Sequence, residues 1–220
     1  MRTWACLPAI LWLGVLTAFG QAAWQETLAR MPLPGGTNPV ERNNVIRRLL
    51  EGLQSNDVVK AIVVLPAVSD DLYLINRDKS ALNLRATNLW QAIVALTNAT
   101  ETRATFRSPC LLIHRDDDAL DAQFTVKDAA AAQRLKSVSR LPRTLFSDAH
   151  WEKVRPVLNK ALHPGIHPWG TSPGAWHFAR HNLAAWGLSD WEILVAVSLT
   201  GKTAFTVEKR RVTFEERSVR

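Results

Sequence analysis

Residues 88–96 read Asn-Leu-Trp-Gln-Ala-Ile-Val-Ala-Leu, and residues 189–197 read Ser-Asp-Trp-Glu-Ile-Leu-Val-Ala-Val. Slid by 101 residues, the two segments superpose. The match runs without a gap from Leu82 to Arg115 and from Leu183 to Glu216. Trp90 meets Trp191, Val94 meets Val195, Ala95 meets Ala196, Thr102 meets Thr203 and Thr105 meets Thr206. Physical roles match as well. Asn88 with Gln91, and Ser189 with Glu192, have capping-box spacing: the cap oxygen accepts from a first-turn N–H while the Gln or Glu reaches back. Leu89, Trp90, Ile93 and Leu96 then form one helix face, as do Trp191, Leu194, Val195 and Ser198. The strand-like runs Thr102 to Arg107 and Thr203 to Glu208 follow, with hairpin partners Cys110 to His114 and Arg211 to Glu215. Each copy therefore reads strand, helix, strand, strand.

A helix is expected ahead of each copy. Asn38-Pro39-Val40-Glu41 is a further capping box with Pro at the first helical position, and Val45, Ile46, Leu49, Leu50 and Leu53 supply an apolar face. In the second half, Ser147 or Asp148 is expected to start a helix bearing Trp151, Val154, Leu158 and Leu162, which Pro156 should kink or shorten. Val58 to Leu65 has the length of a buried strand. Leu72 to Ile75 and Ala81 to Arg85 pattern as a hairpin, whereas the Pro- and Gly-rich His163 to Ala175 reads as loop. Between the halves lie a short Phe124–Val126 segment and an Ala-rich helix over Asp128 to Leu141, with Asp128 as its cap. The fold class is α+β: two copies of a small βαββ-type unit, each preceded by a helix and joined by a bridging helix. The boundaries are a signal peptide over 1–20, an N-terminal linker over 21–37, a first repeat over 38–118, a bridging segment over 119–146 and a second repeat over 147–217.

The signal-peptide assignment rests on Arg2, the apolar run from Leu7 to Phe19 and the small residues that follow; cleavage is expected after Gly20 or Ala22. Its removal takes away Cys6 and leaves Cys110 as the lone cysteine, read as an inert core thiol beside Leu111-Leu112-Ile113. The expected location is periplasmic or extracellular, with no membrane span left after cleavage. The 220 residues are 47% apolar and 21% charged, which excludes wholesale disorder. The net charge of +7 is spread along the chain, so a nucleic-acid partner is not expected.

The run from Ala81 to Leu96, with Leu89, Ala92, Ile93 and Leu96 on the helix and short strands ending Leu111-Leu112-Ile113-His114, resembles the short N-terminal domain of secretins and TonB-dependent receptors. That resemblance implies a small extracytoplasmic α+β module that docks other proteins of an envelope machine.

No motif calls for a cofactor. Gly170-Thr171-Ser172-Pro173-Gly174 has the Gly-x-Ser-x-Gly spacing, but Ser172, near His167 and His177, is read as part of an ordinary Gly-Pro loop and not as a nucleophile elbow. Gly201-Lys202-Thr203 joins a helix to a strand, the wrong order for a phosphate loop. Asp116, Asp117, Asp118 and Asp121 lack calcium-loop spacing. His163, His167, His177 and His181 fall in i, i+4 pairs and form the alternative reading, a metal site. On a strand, however, His177 and His181 would lie about 13 Å apart, too far to share one ion. Nine Trp stand against one Tyr, and Trp151, Trp169, Trp176, Trp186 and Trp191 crowd the second half. Trp191, like Trp90, reads as core. Trp169, Trp176 and Trp186 are the candidate contact residues. The expected function is a non-catalytic binding or scaffold module of the cell envelope, docking a protein partner through sheet edges and a Trp-rich loop.

Overall fold

The structure, a computed structural model, describes residues 23–35, 42–66, 68, 86–170 and 179–217. Helix α1 (residues 23–29) is followed by α2 (Arg42–Gly52) and strand β1 (Ala61–Val64). Then come α3 (Leu89–Ala99) and the hairpin β2 (Arg103–Arg107) and β3 (Cys110–His114). Strand β4 (Gln123–Val126) and α4 (Ala129–Arg134) lead to β5 (Arg143–Ala149), α5 (Trp151–Ala161) and β6 (His167–Gly170). The chain continues through β7 (His181–Trp186), α6 (Asp190–Thr200), β8 (Thr203–Val207) and β9 (Arg211–Glu216). The fold is α+β, with six helices and two mixed sheets among the described residues.

Capping explains the two long helix starts. The Asn88 side chain accepts from the N–H of Gln91, and the Ser189–Glu192 pair closes a complete capping box. At a shift of 101 residues, α3 and α6 coincide end to end. The hairpin registers coincide too: Ala104 faces Ile113 as Phe205 faces Phe214, and Thr105 faces Leu112 as Thr206 faces Thr213. Further correspondences combine that shift with one of 106 residues for the segments upstream. Ala61 pairs with Cys110 as His167 pairs with Arg211, both in parallel ladders. Pro32 bridges Asn88 as Val138 bridges Ser189. The strand expected ahead of α3, the capping box at 38–41 and the hairpin at 72–85 lie outside the described residues, as does the signal peptide.

The five-stranded sheet has the order β2-β3-β1-β7-β5 and the four-stranded sheet β4-β8-β9-β6. β1 is buried along its whole length because both its faces are covered. Ile62 and Val64 look toward α1, α2 and α3, joining Trp24, Leu28, Leu49, Leu50, Leu89 and Ile93. Ala61 and Val63 look the other way, toward α5, α6 and the inner face of the second sheet. α6 lies between the two sheets. Ile193, Leu194, Ala196, Val197 and Leu199 are all buried, so this helix is apolar nearly all round rather than on one stripe.

Several local expectations are corrected. Ser147 and Asp148 do not start a helix: β5 runs to Ala149, and His150 occupies the cap position without a side-chain cap bond. Pairing with β7 wins there over the local cap signal, and a bulge between Phe146 and Ala149 holds Asp148 at φ 52°. α5 runs through Pro156 to Ala161: Pro156 is exposed, and the Glu152 carbonyl that its missing N–H leaves without a helical donor lies on the same solvent-facing side. The stretch from His163 contains β6, built by parallel pairing with β9 rather than by any alternation of its own. The bridging helix ends at Arg134 rather than Leu141, and Val138 already bridges Ser189.

Gly201 caps α6 at an ordinary φ of −98°. An added Cβ there would lie 2.7 Å from Cε1 of the buried His181. Gly201→Ala is therefore expected to destabilise the fold by about 1–3 kcal/mol through overpacking. Urea unfolding of the two proteins measures this, and equal midpoints would refute the close approach.

Candidate functional site

Four strands end the two sheets, and three of them carry a device against pairing. β2 places Arg103 and Arg107 at its ends, paired with Asp116 at 2.9 Å and Asp121 at 2.6 Å. β5 has the bulge at Asp148. β6 contains Pro168. Since the His167 N–H is bonded to the Arg210 carbonyl of the neighbouring strand, alternation turns the Pro168 position to the open side, where it offers no donor. Charges, bulges and prolines are the usual ways to blunt an edge.

β4 has none of these. Its sequence Gln-Phe-Thr-Val is uncharged, and every residue is exposed, Phe124 by 51% and Val126 by 42%. The Lys127 N–H is bonded to the Val207 carbonyl, so the N–H groups of Phe124 and Val126 face the open side. Phe124 packs edge-on against Trp191 with ring centroids 4.9 Å apart and stacks on Phe205. Beside it lies a cleft of about 390 Å³ lined by Cys110, Leu112, Leu120, Trp191, Glu192 and Val195, among others. Cys110 is half-buried at the rim rather than sealed in the core. Burial, then the charge of Glu192, pushes its thiol up to about 12, so it stays protonated and unreactive.

Trp169 is 47% exposed on β6, as the sequence expects of a contact residue. The guanidinium carbons of Arg155 and Arg211 lie 5.3 and 5.4 Å from its ring centroid. Trp186 is elsewhere, on β7 in the other sheet: it is half-buried, donates from Nε1 to the Leu53 carbonyl at 2.8 Å and carries Arg143 over its ring. Trp176, His177 and Ser172 lie outside the described residues. Trp90 and Trp191 are half-buried against the two cores.

The described histidines do not converge. His163 and His167 line one groove. His181 is 1% exposed inside the fold, with Nδ1 2.8 Å from the Thr200 hydroxyl. Among the described residues no three His, Cys, Asp or Glu side chains come together as a metal site. His114 is buried at the end of β3 against the Thr105 hydroxyl. The aspartates after β3 are engaged by arginines, and Gly201-Lys202-Thr203 is the turn from α6 into β8. Asp190, buried at the start of α6, accepts the His163 N–H at 2.6 Å. Burial raises its carboxyl pKa, partly offset by that hydrogen bond and by the charges of His163 and Arg140.

No protein-family model matches the chain, and no curated protein or solved structure matches it either.

Burial, aided by the nearby His150, pushes the His181 ring down to about 4, against about 6.5 in an unfolded chain. Between those values the unfolded chain binds a proton that the folded chain refuses. Stability therefore falls as pH drops from about 6.5 to about 4, by on the order of 3 kcal/mol. The slope is expected to flatten in His181→Asn. Urea titrations at several pH values provide the check. Asp190 contributes with the opposite sign, because its raised carboxyl pKa favours the folded state in acid, so the difference between the two proteins isolates His181.

Proposed function

We propose that the chain is a non-catalytic docking module, exported to the cell envelope, that takes an extended segment of a protein partner onto the open edge of β4. The observation that carries this is the contrast among the edges. β2, β5 and β6 are blunted by charge, bulge and proline, while β4 leaves apolar, uncharged backbone exposed. An added strand would bond to the outward groups of Phe124 and Val126, and the neighbouring cleft would receive one of its apolar side chains. The resemblance of residues 81–114 to the short N-terminal domain of secretins and TonB-dependent receptors is in keeping with such docking.

Val126→Pro removes one outward donor and leaves the bonds from β4 to β8 in place. With the native envelope fraction as source, wild-type chain is expected to retain a discrete partner that Val126→Pro loses, both proteins having the same circular dichroism. Retention of that partner by Val126→Pro would refute docking at this edge. Export has its own measurement: N-terminal sequencing of protein from the extracytoplasmic fraction is expected to begin at Gln21 or Ala23, and a chain beginning at Met1 would count against it.

A further inference from the structure

The basic charge that is diffuse along the sequence is gathered by the fold. Arg134 on α4, Arg155 on α5, Lys209 and Arg210 in the β8–β9 turn and Arg211 on β9 come from separate segments. All five are exposed, and none makes an ion pair among the described residues. Several cations elsewhere are paired, Arg30 with Glu26, Arg47 with Glu51, Arg103 with Asp116, Arg107 with Asp121 and Lys127 with Glu208, whereas the exposed Lys136, Lys153 and Lys160 make no ion pair among the described residues either; what sets the five apart is that the fold brings them to one face. Three of the five, Arg134, Lys209 and Arg210, border a groove of about 590 Å³ together with His163 and His167. The carboxylate in that groove, Asp128, is engaged by the Ala131 N–H as the cap of α4. Arg134 is anchored by donating to the Lys209 carbonyl at 3.1 Å. Arg211, paired with His167 across the β6–β9 ladder, extends the groove to Trp169.

We propose that this face binds an anionic oligosaccharide, a glycan chain bearing sulfate or carboxylate groups. Four of the five cations are arginines, whose planar fork suits bidentate contact with oxyanions. The indole of Trp169 is a positioning residue: it holds two guanidiniums in place, so less side-chain freedom is lost when the anion arrives. Other polyanions fit less well. An extended acidic peptide finds no donor at Pro168 on the open side of β6. A single-stranded nucleic acid needs free aromatic faces for its bases, and Trp169 already carries two guanidiniums. The inference stands independently of the β4 edge.

The test is a fluorescence-polarisation titration of the full chain with a labelled, size-defined heparin oligosaccharide at several salt concentrations. Arg155→Ala/Arg211→Ala is expected to weaken binding at least tenfold and to flatten its salt dependence, since fewer counterions are exchanged. Lys209→Ala/Arg210→Ala, altering only an exposed turn, is expected to do the same. Trp169→Ala, which leaves the charge count unchanged, is expected to weaken binding severalfold at an unchanged salt slope. Arg30→Ala/Arg47→Ala removes equal charge elsewhere and is expected to stay within twofold of wild type. An equal loss in that control would overturn the proposal in favour of net charge alone. Equally tight binding of a single-stranded or duplex DNA of the same charge would overturn it in favour of a nucleic acid.

Discussion

The rest of the architecture depends on α6 being buried between two sheets. A helix in that position has little solvent face, Trp191, Glu192 and Val195 lining the open cleft, so almost every other position must be apolar or find its polar partner locally. α6 does both. Ile193, Leu194, Ala196, Val197 and Leu199 fill the space between the sheets. The Ser198 hydroxyl donates to the Thr203 carbonyl at 2.6 Å, and the Thr200 hydroxyl donates to the Val197 carbonyl while meeting His181 Nδ1. The last cap, Gly201, is a glycine because His181 leaves no room for a Cβ, and Lys202 at φ 52° turns the chain out of the helix. Its start is fixed by the Ser189–Glu192 box and by Asp190, whose own N–H bonds to the Ser137 carbonyl. With α6 fixed, the spacing of the sheets is fixed, and with it the cleft between β3 and β4.

A four-layer arrangement of this kind makes the first sheet the shared wall of two cores. β1 serves both with alternate residues, which is why its sequence is uniformly apolar instead of alternating. The second sheet has core on one face only. β9 therefore alternates, burying Val212 and Phe214 and exposing Arg211, Glu215 and Glu216 at its ends. The one-sided sheet is the one that carries both candidate surfaces, the unblunted β4 and the basic face beside β6. The buried sheet contributes structure, and the half-exposed one offers contact.

What was legible in the sequence follows from the range of the interactions. The α3 and α6 starts, both hairpins and the α5 apolar face are local, set by caps and periodicities within a few residues, and they could be read directly. β6 was not legible. It is held by β9, more than forty positions away, and its Pro and Gly speak for a loop when considered alone. Ser147 and Asp148 read as a cap because nothing local reveals that β7 claims them. The basic face was hidden for the same reason, since its cations lie on four separate elements and only the fold adds them together. The histidines show the converse: a sequence cluster that folding separates, with His181 in the core and His163 and His167 at the groove. Trp169 was legible as an exposed ring, but not the two arginines against it.

The aromatic contacts at the equivalent helix starts explain why β4 is available for pairing. In the second half, Phe124 of β4 meets Trp191 edge-on at 4.9 Å and 84°. In the first half, Trp24 meets Trp90 edge-on at 5.1 Å and 87°, and it comes from helix α1. The same geometry is thus reached from a helix in one case and from a sheet-edge strand in the other. Trp24 is 4% exposed, so its contact is finished within the first core. Phe124 is half out of the protein because its strand has a neighbour on one side only. An aromatic ring that packs inward while its backbone faces outward keeps β4 rigid without closing its edge. Rigidity lowers the ordering cost of adding a strand there, and the absence of charge, bulge and proline leaves the added strand's hydrogen bonds unopposed.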